Sequence, residues 1–201
     1  MTFARVLVLL AVTTISGCTG MKPTDFKNTN PTLRIETYFQ GKTQAWGIFE
    51  DRFGTLRRQF TVDIDGSWDG KELVLDERFQ YSDGETDRRV WTIRKTGAHS
   101  YEGSADDVIG VARGEAYGNA LNWQYDMNLN VGGTGLRVHF NDWMFLQPSG
   151  VVLNRAKVSK LGIEIGTVTL AFMKPDQAPK SPVNAVNGWR NVFESVQEAN
   201  Q

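Results

Sequence analysis

The chain contains very few of the residues that form disulfides and metal sites. It has one cysteine and two histidines among 201 residues. An internal disulfide is impossible, and neither a thiolate metal cage nor a histidine-rich zinc site is expected. Basic and acidic residues nearly balance, 22 against 23, and the net charge of −1 argues against a nucleic-acid-binding protein, which would carry a basic patch. We therefore predict no metal, no cofactor and no nucleic-acid partner.

Recognisable catalytic motifs are missing as well. The sequence has no G-x-S-x-G elbow, no H-E-x-x-H pair and no phosphate-binding P-loop. Two carboxylate pairs, Glu50-Asp51 and Asp106-Asp107, consist of immediate neighbours. Neighbouring side chains on a strand point to opposite faces, so neither pair is a ready acid–base couple. An enzymatic function stays open but is not favoured.

Long apolar runs are scarce, and the clearest one lies at the N-terminus. Arg5 precedes the apolar run Val6–Val12, which is shorter than the roughly 20 residues that span a bilayer. Small residues then lead to Cys18, a layout typical of a secretory signal peptide, here residues 1–17. No later stretch approaches the length of a transmembrane segment.

The four residues ISGC that end at Cys18 resemble the bacterial lipobox. The resemblance implies that Cys18 is lipidated and anchors the protein to a membrane; the alternative is a plain signal peptide with an incidental cysteine. Because Thr19 rather than aspartate follows Cys18, the resemblance to Gram-negative sorting rules implies the outer membrane, with the protein facing the periplasm.

Polar segments flank the central region. Residues 18–31 are rich in Pro, Asn, Thr and Lys, and we predict a lipidated tether there. Residues 175–201 begin with a linker that carries three prolines. Apolar residues at helical spacing follow and predict a short amphipathic helix with Asn187 as its N-cap: Trp189, Val192, Phe193 and Val196.

Residues 32–174 alternate between apolar and polar side chains, which is typical of β-strands. Turn-forming dipeptides separate the alternating runs at short intervals: Asp69-Gly70, Asp83-Gly84, Thr96-Gly97, Gly118-Asn119, Gly132-Gly133, Ser149-Gly150 and Leu161-Gly162. Short strands with short turns predict an antiparallel meander of about nine or ten strands. Closure into a barrel would hide the apolar face and remove exposed edges, so we predict an all-β barrel domain; an open sandwich is the alternative.

Charged residues interrupt the apolar faces of the predicted strands. Five of them are expected to point inward: Arg58, Glu77, Arg89, Asp142 and Arg155. A buried charge costs several kcal/mol unless it is paired, so these residues should form an ion-pair network or face a cavity. The network could serve structure alone. Alternatively, Arg58 or Arg89 could bind the carboxylate or phosphate head group of a ligand.

Aromatic residues are abundant on the same faces, and ten are assigned to them: Trp46, Phe60, Trp68, Phe79, Tyr81, Trp91, Tyr101, Trp123, Tyr125 and Phe140. Small residues concentrate in one stretch: Gly103, Ala105, Gly110, Ala112, Gly114 and Ala116. Small residues that face large rings either interdigitate with them or leave space for an apolar ligand. The sequence leaves open whether the barrel is filled or hollow.

Several segments resemble a family of short proteobacterial lipoproteins known only as domain of unknown function 3833. They are Ala45-Trp46-Gly47, Asp51-Arg52-Phe53-Gly54, Trp68-Asp69-Gly70, Tyr81-Ser82-Asp83-Gly84-Glu85, Gly118-Asn119-Ala120-Leu121, Asn141-Asp142-Trp143-Met144 and Asn154-Arg155-Ala156. The resemblance implies a periplasm-facing lipoprotein and carries over no established activity. Gly66-Ser67-Trp68 is also similar to the G-x-W signature of the lipocalin (calycin) superfamily, which implies a lipocalin-like barrel.

These observations favour a lipid-anchored barrel that binds a small amphiphile, a lipid or a fatty-acid-like molecule. Its candidate ligand-binding residues are Arg58, Glu77, Arg89, Trp91, Trp123, Tyr125, Asp142 and Arg155. One alternative is a structural or interaction lipoprotein with a filled core. Another is an enzyme acting on lipid-derived substrates through Glu77, Asp142 and Arg155. An interior void of about 300 Å³ or more would be large enough for a ligand.

Overall fold

The computed structural model describes residues 20–131 and 134–176, and ten antiparallel strands in this part of the chain form one closed barrel. The strands are β1 Gly41–Asp51, β2 Leu56–Trp68, β3 Glu72–Tyr81, β4 Thr86–Lys95, β5 Ser100–Ser104, β6 Val108–Tyr117, β7 Ala120–Val131, β8 Thr134–Leu146, β9 Val152–Lys160 and β10 Ile163–Met173. A 3-10 helix, Pro23–Phe26, and the short α-helix α1, Ile35–Tyr38, precede them. Cys18, the signal segment and the predicted C-terminal helix lie outside the described residues.

The prediction of a lipocalin-like, all-β meander closed into a barrel is confirmed, and the sandwich alternative is wrong. Each strand pairs with the next, and β1 closes the barrel by pairing with β10 from Gln44 opposite Met173 to Asp51 opposite Gly166. The predicted Asp-Gly turns join β2 to β3 and β3 to β4. Gly70, in the first of these turns, has a φ of 96°. That left-handed conformation is accessible to glycine without steric cost.

The N-terminal segment packs on the barrel before the first strand begins. The Phe26 ring lies 5.8 Å from the Trp143 ring and 5.5 Å from the Phe145 ring, both on the outer face of β8. The Leu33 amide donates to the Gly118 carbonyl at 2.8 Å. Part of the segment predicted as a tether therefore lies against the barrel.

Helix α1 closes one end of the barrel. Ile35 and Phe39 are buried there, and the Tyr38 hydroxyl donates to the Phe172 carbonyl at 3.0 Å. Gly66, in the Gly66-Ser67-Trp68 motif, lies directly beneath this segment, and a Cβ atom on it would overlap the carbonyl oxygen of Phe39. Only glycine permits this approach. The motif stands at the end of β2.

The side of the barrel formed by β4–β7 is filled. Apart from Tyr101, its inward positions on β5 and β6 are small, and they are Gly103, Ala112, Gly114 and Ala116. The Trp123 ring occupies the space above them: a Cβ atom on Gly103 would lie 2.8 Å from that ring, and one on Gly114 would overlap it. Small and large residues therefore interdigitate on this side, which we call the filled side.

The outward position of Trp46 corrects one assignment made from the sequence. Thr43, Ala45 and Gly47 face the interior of the barrel, so Trp46 lies on the outer surface with an exposed fraction of 45%. The residues of β1 alternate weakly in hydrophobicity, and only pairing with β2 and β10 fixes which face is inward.

Candidate functional site

A cavity of about 440 Å³ occupies the rest of the barrel interior. Its walls come from the α1 segment and from β1–β4 and β7–β10, which we call the hollow side. The lining is mostly aliphatic and aromatic and includes Phe60, Ile64, Phe79, Phe140 and Leu170. A mostly apolar cavity of this size with a few polar groups is the usual form of a small-molecule site.

The cavity opens at the end of the barrel away from α1. Lining residues near α1 such as Ile35 and Phe39 are buried, whereas Arg58, Tyr81 and Leu136 at the opposite end are only half-buried. The turn between β3 and β4 stands at that end. Among the described residues, the mouth of the cavity therefore lies around this turn.

Three aromatic residues form the boundary between the filled and hollow sides. The Trp91 ring meets the Trp123 ring edge-on at 5.8 Å and the Tyr125 ring at 5.2 Å. Tyr125 in turn stacks on Phe140 with 5.0 Å between ring centroids. Burial raises the pKa of Tyr125 well above its ordinary value, so its hydroxyl stays protonated.

A partly buried ion pair lies at the edge of the cavity. Arg89 Nε donates to Asp107 Oδ2 at 2.9 Å and Nη2 donates to the same oxygen at 2.7 Å. Arg89 Nη1 lies 3.9 Å from Glu77 Oε2, and the guanidinium lies 5.4 Å from the centroid of the Phe79 ring. Burial disfavours the charge on Arg89, but these carboxylates outweigh it and hold its pKa above the ordinary value.

A second arginine lies at the mouth. Arg58 Nη2 lies 2.9 Å from Asp83 Oδ2 and also contacts Glu85, and its guanidinium lies 3.5 Å from the centroid of the Tyr81 ring. Its side chain is 31% exposed, against 17% for Arg89. Both arginines that were candidates for an anionic head group are therefore engaged by carboxylates of the protein itself.

Two carboxyl groups line the cavity with strongly altered acidity. Burial raises the pKa of Glu77 to about 7 and that of Asp142 to about 7, and the positive charge of Arg89 only partly opposes each shift. Both groups therefore change protonation near neutral pH. This is the behaviour of carboxyl groups that face a largely apolar space.

Asn154 also faces the cavity, and the sequence analysis did not single it out. Its side chain is 2% exposed, and neither Nδ2 nor Oδ1 has a hydrogen-bond partner among residues 20–131 and 134–176. Within the same described ranges, Asp142 Oδ1 is also unpaired. The sequence does contain a signal for Asn154. Val152, Ala156 and Val158 alternate with outward residues, and this alternation places Asn154 on the inward face of β9.

The inward orientation predicted for Arg155 is wrong. Arg155 pairs with Trp143 in the β8–β9 register and is exposed on the outer surface. Leu153 is an apolar residue on the same outward face as Arg155, although Val152, Ala156 and Val158 mark the opposite face as the inward one. The proposed catalytic group of Glu77, Asp142 and Arg155 therefore does not converge.

The other seven candidate residues line the same cavity: Arg58, Glu77, Arg89, Trp91, Trp123, Tyr125 and Asp142. Their roles in ligand binding remain predictions. Asp107 was overlooked because it lies in a turn and reaches Arg89 only through the fold.

Within residues 20–131 and 134–176, no three His, Cys, Asp or Glu side chains are grouped to hold a metal ion. Helices in the same ranges fall short of the length and hydropathy needed to cross a bilayer.

Comparison with known proteins gives a family and a fold. The model of a family described as "Protein of unknown function (DUF3833)" matches residues 12–174, so the chain belongs to that family. No match was found among curated proteins. One similar solved structure is an S-type phycobiliprotein lyase, CPES, from Guillardia theta, with a TM-score of 0.50 and 8% identity over 68% of this chain and 88% of that one. At this identity the likeness concerns the fold alone.

Proposed function

We propose that this member of the family binds a small, largely apolar molecule inside its barrel. The observation that carries the proposal is the cavity of about 440 Å³, which is closed by α1 at one end and lined mainly by aromatic and aliphatic side chains. Water forms few hydrogen bonds with such a lining, whereas an apolar ligand removes its own surface from water by binding there. The similar barrel of a phycobiliprotein lyase agrees with a role in handling a small molecule.

The charges around the cavity favour a ligand whose buried part is neutral. Arg58 and Arg89 are already paired with carboxylates of the protein, and Glu77 and Asp142 add two more acidic groups to the wall. A free carboxylate or phosphate would have to displace these partners and would also lose its hydration. A neutral lipid or another neutral amphiphile therefore fits better than a fatty-acid anion.

Filling the cavity provides the test. Ala156 is 2% exposed and lines the cavity, whereas its neighbour Arg155 faces outward. We expect small molecules extracted from the purified protein and identified by mass spectrometry to be retained by Arg155→Phe and lost from Ala156→Phe. Circular dichroism of both variants would verify folding. Recovery of the same molecules from Ala156→Phe would contradict binding inside the barrel.

We further propose that the protein is anchored through Cys18 to the outer membrane and faces the periplasm. The lipobox-like sequence supports this, and several acyl chains on one cysteine would hold a protein stably on a bilayer. Mass spectrometry should find an acylated N-terminal Cys18, and Cys18→Ala should leave the outer-membrane fraction. Unmodified Cys18 in the native protein would refute the anchor.

A further inference from the structure

Two polar side chains, Asp142 and Asn154, lie deep in the cavity. Asp142 on β8 and Asn154 on β9 lie on neighbouring strands, and the pairing of Asp142 with Ala156 and of Met144 with Asn154 makes them diagonal neighbours on the inner face. Asn154 lies toward the closed end. It is two residues from Val152, whose partner on β10, Phe172, packs against Phe39. The mouth with Arg58 lies at the opposite end of the cavity.

The side chains of Asp142 and Asn154 are almost completely removed from solvent, with exposed fractions of 7% and 2%. Three of their polar atoms, Asp142 Oδ1 and both polar atoms of Asn154, have no partner among the described residues. Buried polar atoms normally have hydrogen-bond partners, and a buried group without one destabilises the fold. Arg89 in the same cavity, by contrast, is bound by Asp107.

Most of the wall around this pair is apolar. Asn154 is opposite Met144 on one side and Leu170 on the other, and Trp123 is opposite Asp142. Tyr125, Arg89 and Glu77 are near enough to influence Asp142. A few polar atoms in a mostly apolar wall match a ligand that is apolar except for one polar group. Asn154 offers a donor and an acceptor side by side, the pattern that another amide satisfies with two parallel hydrogen bonds.

We infer that Asp142 and Asn154 bind the buried end of the ligand, and that this end is a neutral primary carboxamide, whose second N–H remains free for Asp142. Asn154 pairs with the amide, and Asp142 Oδ1 accepts a further N–H. The apolar body of the ligand extends past Trp123 and Phe60 toward the mouth. This inference rests on the proposed binding of a small molecule in the cavity and names the chemical class of that molecule.

Other head groups match the pair less well. A carboxylate brings a negative charge next to Asp142 and Glu77, both of which line the cavity. A hydrocarbon end leaves the three polar atoms unpaired. A carboxamide is uncharged and supplies both a donor and an acceptor.

Three fluorescent probes that share an anthracene ring and differ in one substituent test the inference on the purified full chain. The substituents are methyl, carboxamide and carboxylate. We expect the carboxamide to bind about tenfold more tightly than either other probe, and Asn154→Leu to abolish this preference while the methyl probe still binds. Asn128→Leu, on the outer face of β7, is the matched control and should keep the preference.

Thermal unfolding without ligand gives the second measurement. Asn154→Leu should raise the midpoint, because leucine replaces a buried polar side chain that has no partner. A lower midpoint with an unchanged carboxamide preference would assign Asn154 to structure and overturn the inference. Equal binding of the methyl and carboxamide probes would also overturn it but would leave the cavity site standing. If none of the three probes bound, both the carboxamide inference and the proposed binding of a small molecule would be contradicted.

Discussion

The filled and hollow sides of this barrel are built from the same kinds of residue, yet only one of them contains a cavity. On the filled side, Trp123 lies against Gly103 and Gly114, and no room remains for a Cβ atom on either glycine. On the hollow side, Phe60 and Leu170 face about 440 Å³ of open space. Rings lie over glycines on both sides, Trp123 over Gly103 and Phe60 over Gly47, but on the filled side small inward residues continue along both β5 and β6, and the Trp123 ring fills the space over them. The amount of apolar residue does not decide where space remains.

The polar groups at the boundary and those inside the hollow side also differ in whether they have partners within the protein. At the boundary, Arg89 is held by Asp107 and lies near Glu77. Inside the hollow side, Asp142 Oδ1 and the Asn154 amide lack partners among the described residues. Arg89 therefore finds its partners within the protein, whereas we expect Asp142 and Asn154 to find theirs in a bound ligand.

The sharpest test of the comparison removes one ring from each side. We expect Trp123→Ala to lower the free energy of unfolding by about 3–5 kcal/mol, because the buried ring packs over Gly103 and Gly114. Phe60→Ala should cost only about 1–2 kcal/mol, because the Phe60 ring is only half-buried. Urea unfolding monitored by circular dichroism measures both values. Equal losses would show that the two sides are packed alike.

Replacing the two arginines compares a partly buried ion pair with a more exposed one at the mouth. Arg89→Leu should lower the free energy of unfolding by about 3–5 kcal/mol, because Asp107 and Glu77 lose their partner. Arg58→Leu should cost about 1 kcal/mol or less, because its carboxylate partners Asp83 and Glu85 remain hydrated. Adding Glu77→Leu to Arg89→Leu should recover part of the loss. The prediction fails if Arg58→Leu is the more damaging single change.

The pH dependence of stability tests the burial of Glu77. Its pKa is raised from 4.5 to about 7, so the folded state holds a proton that the unfolded state releases between these values. The stabilisation is complete below pH 4.5 and is lost as the pH rises through 7. Relative to the native protein, Glu77→Gln should therefore gain at least about 1.4 kcal/mol between about pH 5 and about pH 8.

Taking the difference between variant and native protein cancels the exposed carboxylates, several of which are shifted in the opposite direction, such as Asp65 and Asp76. Asp142→Asn should behave like Glu77→Gln, because burial also raises the pKa of Asp142 to about 7. Parallel unfolding curves for native protein and variant at all pH values would place both carboxyl groups in contact with bulk water.

Much of the fold was predictable because its signals are local. Alternation over Phe60, Val62 and Ile64 marks a strand from neighbouring residues alone, and Asp69-Gly70 or Asp83-Gly84 marks the next turn. The phase of β9 was less clear, because Leu153 lies on the outward face while Val152, Ala156 and Val158 lie on the inward face. Pairing with β8 fixes it and turns Asn154 inward and Arg155 outward.

The sequence by itself determined the strands, most turns, the antiparallel meander and the presence of charges on its inner face, because each depends on residues close together in the chain. Only the tertiary structure decided that β1 and β10 close the barrel, which rings meet which glycines, and that Asp107 holds Arg89. It also decided that Asp142 Oδ1 and the Asn154 amide lie beside a cavity without partners among the described residues. These contacts join strands far apart in sequence. Their outcome depends on how side-chain volumes fit across the barrel, and no local pattern encodes that fit.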